Sequence, residues 1–249
     1  GVLNVITSSS NAEIGEALVK DPRVDIISFT GSTGVGKRIM ANASDRVAKV
    51  FLELGGKSAS IILDDVDVAA AAARGAGSLY HAGQGCAAIT RILVPKSRYE
   101  EAVAGLKAAF ESVQYGDVDS PMQVMGPLIS EKQRERVLGY IEIGKAEGAR
   151  LVTGGGIPAH TDKGGFFVEP TVFADVSNDM RIAREEIFGP VLVLIPYEDE
   201  EDAIRIANDS PYGLSGSVNS ASQERALRVA RRIRSGTFSI NGGLYYGGD

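Results

Sequence analysis

The chain has 249 residues, 44% hydrophobic and 23% charged, with 30 glycines and no tryptophan, which is enough to bury one large core or two smaller ones. A formal net charge of −6, with no stripe concentrating Lys and Arg, argues against a nucleic-acid or anionic-membrane partner; no apolar run reaches membrane-spanning length and none reads as a signal peptide. One cysteine rules out an intrachain disulfide and points to a reducing, cytoplasmic setting, and with only two histidines, His81 and His160, no structural zinc site is expected.

The first elements alternate. "GVLNVIT" (1–7) reads as a strand, and "NAEIGEALVK" (11–20) as a helix with Asn11 as its N-cap. "VDIISFT" (24–30) predicts a short buried strand that runs directly into "GSTGVGKRIMANA" (31–43), a glycine-rich turn opening a helix. "RVAKVFLEL" (46–54) is the next strand. This β-α-β-α-β order predicts a parallel sheet with helical crossovers.

The rhythm changes at "GGKS" (55–58), so a boundary is placed at Gly55–Gly56, dividing residues 1–54 from 55–249. Next come a strand "ASIIL" (59–63) and an alanine-rich helix in "DDVDVAAAAARGAGSLYHAG", its acids leading as the helix dipole favours. A strand at 90–95, a helix over 98–113 and a polar linker follow. A helix over 130–147 starts at Ser130 with Gln133 three residues on, a capping box. Strands are expected at 149–154, 166–173 and 191–197, a helix at 199–208, and a strand at 214–219. The arginine-bearing helix around "RALRVARRIRSG" ends with Gly236 as its C′ residue, and "TFSIN" (237–241) is the last strand. The fold class is α/β throughout, without internal repeats or low-complexity tracts.

Three places could carry chemistry. "FTGSTGVGK" (29–37) sets Gly31, Gly34 and Gly36 between a strand and a helix, where backbone amides could hold a phosphate. Its G-x-x-G-x-G spacing is not the dinucleotide fingerprint, and a plain tight turn explains it as well. Cys86 in "GQGCAA" reads either as a small buried hydrophobe or as a nucleophile, with small neighbours that admit a carbonyl and a position between a helix end and a strand start. No second partner makes a Cys–His hydrolase of Cys86 and His81. Glu53 ends the apolar run "VFLEL". It is either a solvent-facing strand residue or a buried carboxylate whose desolvation lifts its pKa toward that of a general base.

Taken together, "FTGS", "LELGGKS", "GQGC", "GFFVEPTVF", "EEIFGPV" and "NDSPYGLSGSV", in this order and at these spacings, resemble the NAD(P)-dependent aldehyde dehydrogenase superfamily over essentially the whole chain. The resemblance implies an aldehyde-dehydrogenase-like fold: part of a Rossmann-type parallel sheet in 1–54, then an α/β catalytic domain in 55–249. It implies NAD or NADP as cofactor, an aldehyde as substrate, no metal, and a homo-oligomeric full-length protein. By the same resemblance Cys86 is the nucleophile and Glu53 the general base. Gly31, Ser32 and Leu54 lie along the cofactor, Glu186 holds its nicotinamide-side ribose with Gln133 and Phe188 nearby, and Asn241 lines the substrate end.

The sequence also departs from the family. Segments that supply an asparagine oxyanion donor and the adenosine-ribose contacts do not occur here, nor does the glycine-rich continuation with the oligomerisation strand. The 249 residues alone are therefore expected to turn over poorly or not at all, since one lost oxyanion donor costs about 10²–10³ in rate, and an open sheet edge beside Gly1 is expected. The rival expectations are acyl transfer to phosphate or coenzyme A, and a non-catalytic binding fragment that keeps only the fold.

Overall fold

The computed structural model, which describes residues 1–117, 119–159 and 164–242, divides the chain into two units, Gly1–Gly55 and Gly56–Asp249; His160 falls outside the described residues. The first unit contains α1 (Asn11–Lys20), β1 (Ile26–Thr30), α2 (Thr33–Ser44) and β2 (Lys49–Glu53). β1 and β2 pair in parallel from Ile26↔Lys49 to Thr30↔Glu53. Along both strands exposed residues alternate with half-buried ones, so the run at 24–30 is not the fully buried strand its composition suggests.

Residues 1–7 form no strand. Val2, Leu3, Val5 and Ile6 are all exposed, and the two-stranded sheet pairs β1 with β2 alone. β-propensity reflects packing against neighbours more than the backbone, so this run gains nothing from extending alone. What was expected as a sheet edge beside Gly1 is an exposed apolar segment. α1 is preceded by Ser10 as its N-cap, not capped by Asn11, and makes no side-chain cap bond. α2 is capped by Ser32, whose Oγ accepts the Val35 N–H at 3.4 Å.

In the second unit β3 (Ser58–Ile62), β4 (Ile89–Pro95), β5 (Arg150–Thr153), β6 (Thr171–Ala174), β7 (Val191–Tyr197), β8 (Ser215–Asn219) and β9 (Thr237–Ile240) form one sheet in the order β5-β6-β7-β4-β3-β8-β9. β5 runs antiparallel to β6 and every other pair is parallel. The central strands read as continuous apolar runs because a parallel sheet is covered on both faces; Ile61, Ile62, Leu93, Val94, Val193 and Leu194 are wholly buried. Around the sheet lie α3 (Val68–Ala73), α4 (Tyr99–Glu111), α5 (Glu131–Ala146), α6 (Arg181–Arg184), α7 (Glu200–Asn208) and α8 (Gln223–Ala230).

Three expectations change here. The alanine-rich segment is α-helical for only six residues before tightening into 3₁₀ turns from Arg74, which a kink interrupts at Tyr80, His81 and Ala82. Gly75 lets this turn lie against the core, where an added Cβ would stand 2.7 Å from Ile92, and glycine weakens an α-helix locally. In the 166–173 run only Thr171–Ala174 is strand, since Pro170 cannot donate to a ladder. The arginine helix ends at Ala230, and Gly236 is not its C′ residue. The Gly236 N–H bonds the Gly213 carbonyl and that of Thr237 the Leu214 carbonyl, so Gly236 already leads into β9.

Tyr99, at the start of α4, ties this helix to two strands. Its hydroxyl donates to the Leu194 carbonyl at 3.0 Å and accepts the Asp175 N–H at 2.7 Å. Burial pushes the phenol well above its ordinary pKa. Tyr99→Phe leaves an amide and a carbonyl without this partner, so it should lower stability by about 1–3 kcal/mol in urea denaturation; an unchanged midpoint would contradict the role.

Candidate active site

In the first unit the sequence-singled residues gather at the carboxyl end of the two strands. The Gly31 N–H donates to the Glu53 carbonyl at 3.0 Å, which fixes the glycine turn beside the end of β2. Leu54 lies against α2, where a Cβ on Gly36 would come within 2.6 Å of the leucine side chain. Gly31, Ser32, Glu53 and Leu54 thus share one end of β1 and β2. Of the two readings of Glu53, the structure supports the solvent-facing one. It shares its strand face with Lys49 and Phe51, all three exposed, while Val50 and Leu52 turn inward.

In the second unit Cys86 is a free, half-buried thiol on the turn closed by the Ala88 N–H bonding the Gly85 carbonyl at 3.1 Å. Two glycines clamp that turn. A Cβ on Gly56 would overlap the Cys86 carbonyl oxygen, and a Cβ on Gly83 would overlap the Gly189 carbonyl. The approach to Cys86 is strained, because His81 (φ 56°), Ala82 (φ 54°) and Gly83 (φ 71°) take left-handed backbone in succession. Side chains at such φ values cost on the order of 1–3 kcal/mol each and persist where their surroundings fix them. Here Gln84 supplies a brace, donating to the His81 carbonyl and accepting the Ile129 N–H, both at 3.0 Å.

The Glu186 segment converges on the same glycine. Glu186 Oε1 accepts the Gly56 N–H at 3.0 Å, while Arg136 holds the Glu186 carbonyl at 2.7 Å. Ser130 caps α5, accepting the Gln133 N–H at 3.2 Å. The Gln133 side chain does not return to complete a capping box; its Nε2 donates to the carbonyls of Ile187 at 3.1 Å and Phe188 at 2.8 Å. This tether holds Phe188 in left-handed backbone, φ 60°. Gln133, Glu186 and Phe188 are therefore brought together, and Gly56 joins them to Cys86. Glu185 points elsewhere. Hydrogen bonds from Arg181 and Tyr140 hold its carboxyl below the usual range.

Asn241 ends β9 with φ 55°, its N–H on the Val218 carbonyl and its Oδ1 accepting the Ser220 N–H at 2.9 Å. A 550 Å³ cavity, lined by Tyr80, Ala87, Ile89, Leu214, Phe238 and Gly242 among others, links the neighbours of Cys86 to the neighbour of Asn241. That volume lies in the range of small-molecule sites. A larger groove of 770 Å³ lies at the carboxyl ends of β6, β7 and β4. Its acids are engaged: Asp175 by Arg150, Asp202 by Arg205, and Asp209 by Arg184. Among the described residues no group of His, Cys, Asp or Glu is placed to hold a metal ion, and no described helix is long and apolar enough to cross a membrane.

Sequence reasoning missed two buried cations. Lys57 and Arg91 are each 2% exposed. Arg91 Nε donates to the Lys57 carbonyl at 3.0 Å, and its other nitrogens reach Asn178 Oδ1 and the carbonyls of Ile206 and Ala207 at the end of α7. Burial pulls the guanidinium down to about 10. A charge inside the apolar run "TRILVP" was the available signal.

Comparison with known proteins places these residues in context. The aldehyde dehydrogenase family profile matches residues 1–247. The chain is 48% identical over 244 residues to geranial dehydrogenase of Castellaniella defragrans, covering 97% of this chain and 50% of that protein. It is 46% identical over 242 residues to betaine aldehyde dehydrogenase of Rhizobium etli, covering 97% of this chain and 49% of that protein. Among solved structures, aldehyde dehydrogenase of Mycobacterium tuberculosis in complex with NAD+ superposes with a TM-score of 0.90 at 51% identity, over 94% of this chain and 48% of that one. A Pseudomonas syringae aldehyde dehydrogenase C mutant with NAD+ and octanal gives 0.89 at 41%, over 93% and 48%. The chain spans about half the length of the relatives it matches.

The Gly56 clamp is testable. Gly56→Ala forces a methyl against main-chain atoms of Cys86, so it should destabilise the second unit by on the order of 2 kcal/mol and change the alkylation rate of Cys86. A variant with wild-type stability and thiol reactivity would remove the clamp.

Proposed function

The chain belongs to the aldehyde dehydrogenase family, and from that premise we propose that Cys86 is the nucleophile, and Glu53 the base, of an NAD(P)-linked oxidation of an aldehyde to a carboxylic acid. One observation carries the reading: the only cysteine is a half-buried free thiol on a clamped turn whose next residue, Ala87, lines a cavity of ligand size.

The chemistry follows from these groups. The Cys86 thiolate adds to the aldehyde carbonyl carbon, and the backbone N–H of Cys86 would donate to the oxyanion that forms. Loss of hydride from that adduct leaves a thioester on sulfur. Glu53 then takes a proton from water, whose oxygen attacks the thioester carbon; the C–S bond breaks, and the carboxylic acid leaves with the thiol restored. The apolar cavity wall suits a hydrocarbon tail, while Asn241 lies beside its far lining residue Gly242.

NAD or NADP supplies the hydride acceptor when bound. The residues fit such a group. Ser32 caps a twelve-residue helix, and a Cβ on Gly34 in its first turn would meet nothing within 4 Å, which leaves room for a pyrophosphate at a helix N-terminus. Glu186, pinned through Oε1 by Gly56, would offer its other oxygen to a ribose hydroxyl. Gln133 and Phe188 would shape that end.

Acylation without cofactor isolates the thioester half of the reaction. With p-nitrophenyl acetate, intact-mass analysis should find one acetyl group, on Cys86, and none in Cys86→Ser. Glu53→Gln should slow its hydrolysis by about 10² or more. Acetylation elsewhere, or deacylation indifferent to Glu53, would overturn the assignment. Deacylation driven by coenzyme A or phosphate rather than water would move the reading to acyl transfer.

A further inference from the structure

Lys57 is the charged side chain that the proposed reaction does not use. It is 2% exposed, and its Nζ makes no hydrogen bond; neither does the Oγ of the adjacent Ser58, which is 3% exposed. A buried ammonium without a partner is among the costlier arrangements in a protein, and such a group calls for a specific explanation.

Both residues line a small cavity of 20 Å³ beneath β8 and the end of α7. Its lining is one-sided in charge. Lys57, Arg91 and Arg234 contribute to the wall, with Ser58, Ser210 and Ser235, and the lining contains no aspartate or glutamate. The two arginines are neutralised by no carboxylate there. Arg91 donates to Asn178 Oδ1 and to main-chain carbonyls, and Arg234 donates to the carbonyls of Ser210 and Tyr212. The nearest acids, Glu186 and Glu185, favour the charged lysine through space but make no hydrogen bond to its Nζ. A 20 Å³ space holds one small sphere, far too little for phosphate, sulfate or a nucleotide.

We propose that this cavity is a binding site for a single monatomic anion, a halide such as chloride, held by Lys57 Nζ and Ser58 Oγ. The halide gives the buried ammonium of Lys57 and the hydroxyl of Ser58 the hydrogen-bond partner that neither has. Lys57 adjoins Gly56 in sequence, the residue whose N–H meets the Glu186 carboxylate and whose Cα presses on Cys86. The site would therefore stiffen the segment that joins those two residues. Its occupancy does not depend on the catalytic reading.

Without an anion, burial first and the charge of Arg91 second push Lys57 down to about 7, opposed by Glu186 and Glu185. The sign of the linkage follows. Above pH 7 the folded lysine loses its proton while the unfolded one keeps it up to its ordinary pKa, so the halide-free chain gains stability as pH rises between them. A halide binds the charged form. Its stabilisation is greatest below pH 7 and fades as pH rises beyond that.

Thermal denaturation of the 249-residue chain, with potassium chloride exchanged for potassium gluconate at constant ionic strength, tests the site. Chloride should raise the midpoint saturably by at least about 2 °C at pH 6 and by much less at pH 9. Lys57→Met should abolish the dependence and Ser58→Ala weaken it. Bromide soaked into wild-type crystals provides a reading that needs no variant, an anomalous peak within hydrogen-bond distance of Lys57 Nζ. A chloride response unchanged in Lys57→Met, or a cavity holding only water with bromide confined to surface lysines as an adventitious ion, would overturn the proposal.

Discussion

The second unit depends on the absence of a side chain at residue 56. Gly56 passes between a carboxylate and a carbonyl, its N–H bonded to Glu186 and its Cα pressed on Cys86, where no Cβ fits. Because of that contact, residues distant in sequence share one neighbourhood: the "GGK" segment before β3, the thiol turn before β4, and the "EEIFGP" segment before β7. The tie from Gly83 to Gly189 repeats the arrangement one step away. Two main-chain contacts that require glycine thus position the thiol turn, and the strain at His81 and Ala82 is held by what surrounds them.

The placement within the sheet is informative. In open parallel sheets ligands usually lie at the carboxyl ends of strands, and a groove of 770 Å³ is there. Asp175, Asp202 and Asp209 in its wall are held by arginines. The thiol sits at the other end, on the turn entering β4, beside the apolar cavity. A fold-level rule pointed to one end of the sheet and the chemistry of individual residues to the other, and function has to be argued from the residues.

Much of this was legible in the sequence, for identifiable reasons. β7 and β4 were readable because buried parallel strands are uninterrupted apolar runs, and α5 because Ser130 precedes a helical segment. The motif residues were legible because "GGKS", "GQGC" and "EEIFGPV" occur together at set spacings. What failed was context. A β-branched run at 1–7 cannot become a strand without a partner, an alanine-rich run with glycines tightened into 3₁₀ turns, and Gln133 used its amide on the Phe188 loop rather than on its own helix. Glu53 read two ways because its neighbours are apolar, and period two placed it outward. Lys57 and Arg91 were missed, despite the charge inside "TRILVP", because burial of a cation depends on carbonyls and cavities that only folding supplies.

The central claim is that the Gly56 amide couples the Glu186 carboxylate to the Cys86 turn, and hydrogen exchange at that amide, resolved by NMR, tests it most directly. The account requires the Gly56 N–H to be protected in the wild-type chain. In Glu186→Ala it should exchange at least about tenfold faster, with amides of the Cys86 turn accelerated as well, whereas Glu185→Ala should leave it unchanged. Equal exchange in all three proteins would contradict the coupling and the arrangement built on it.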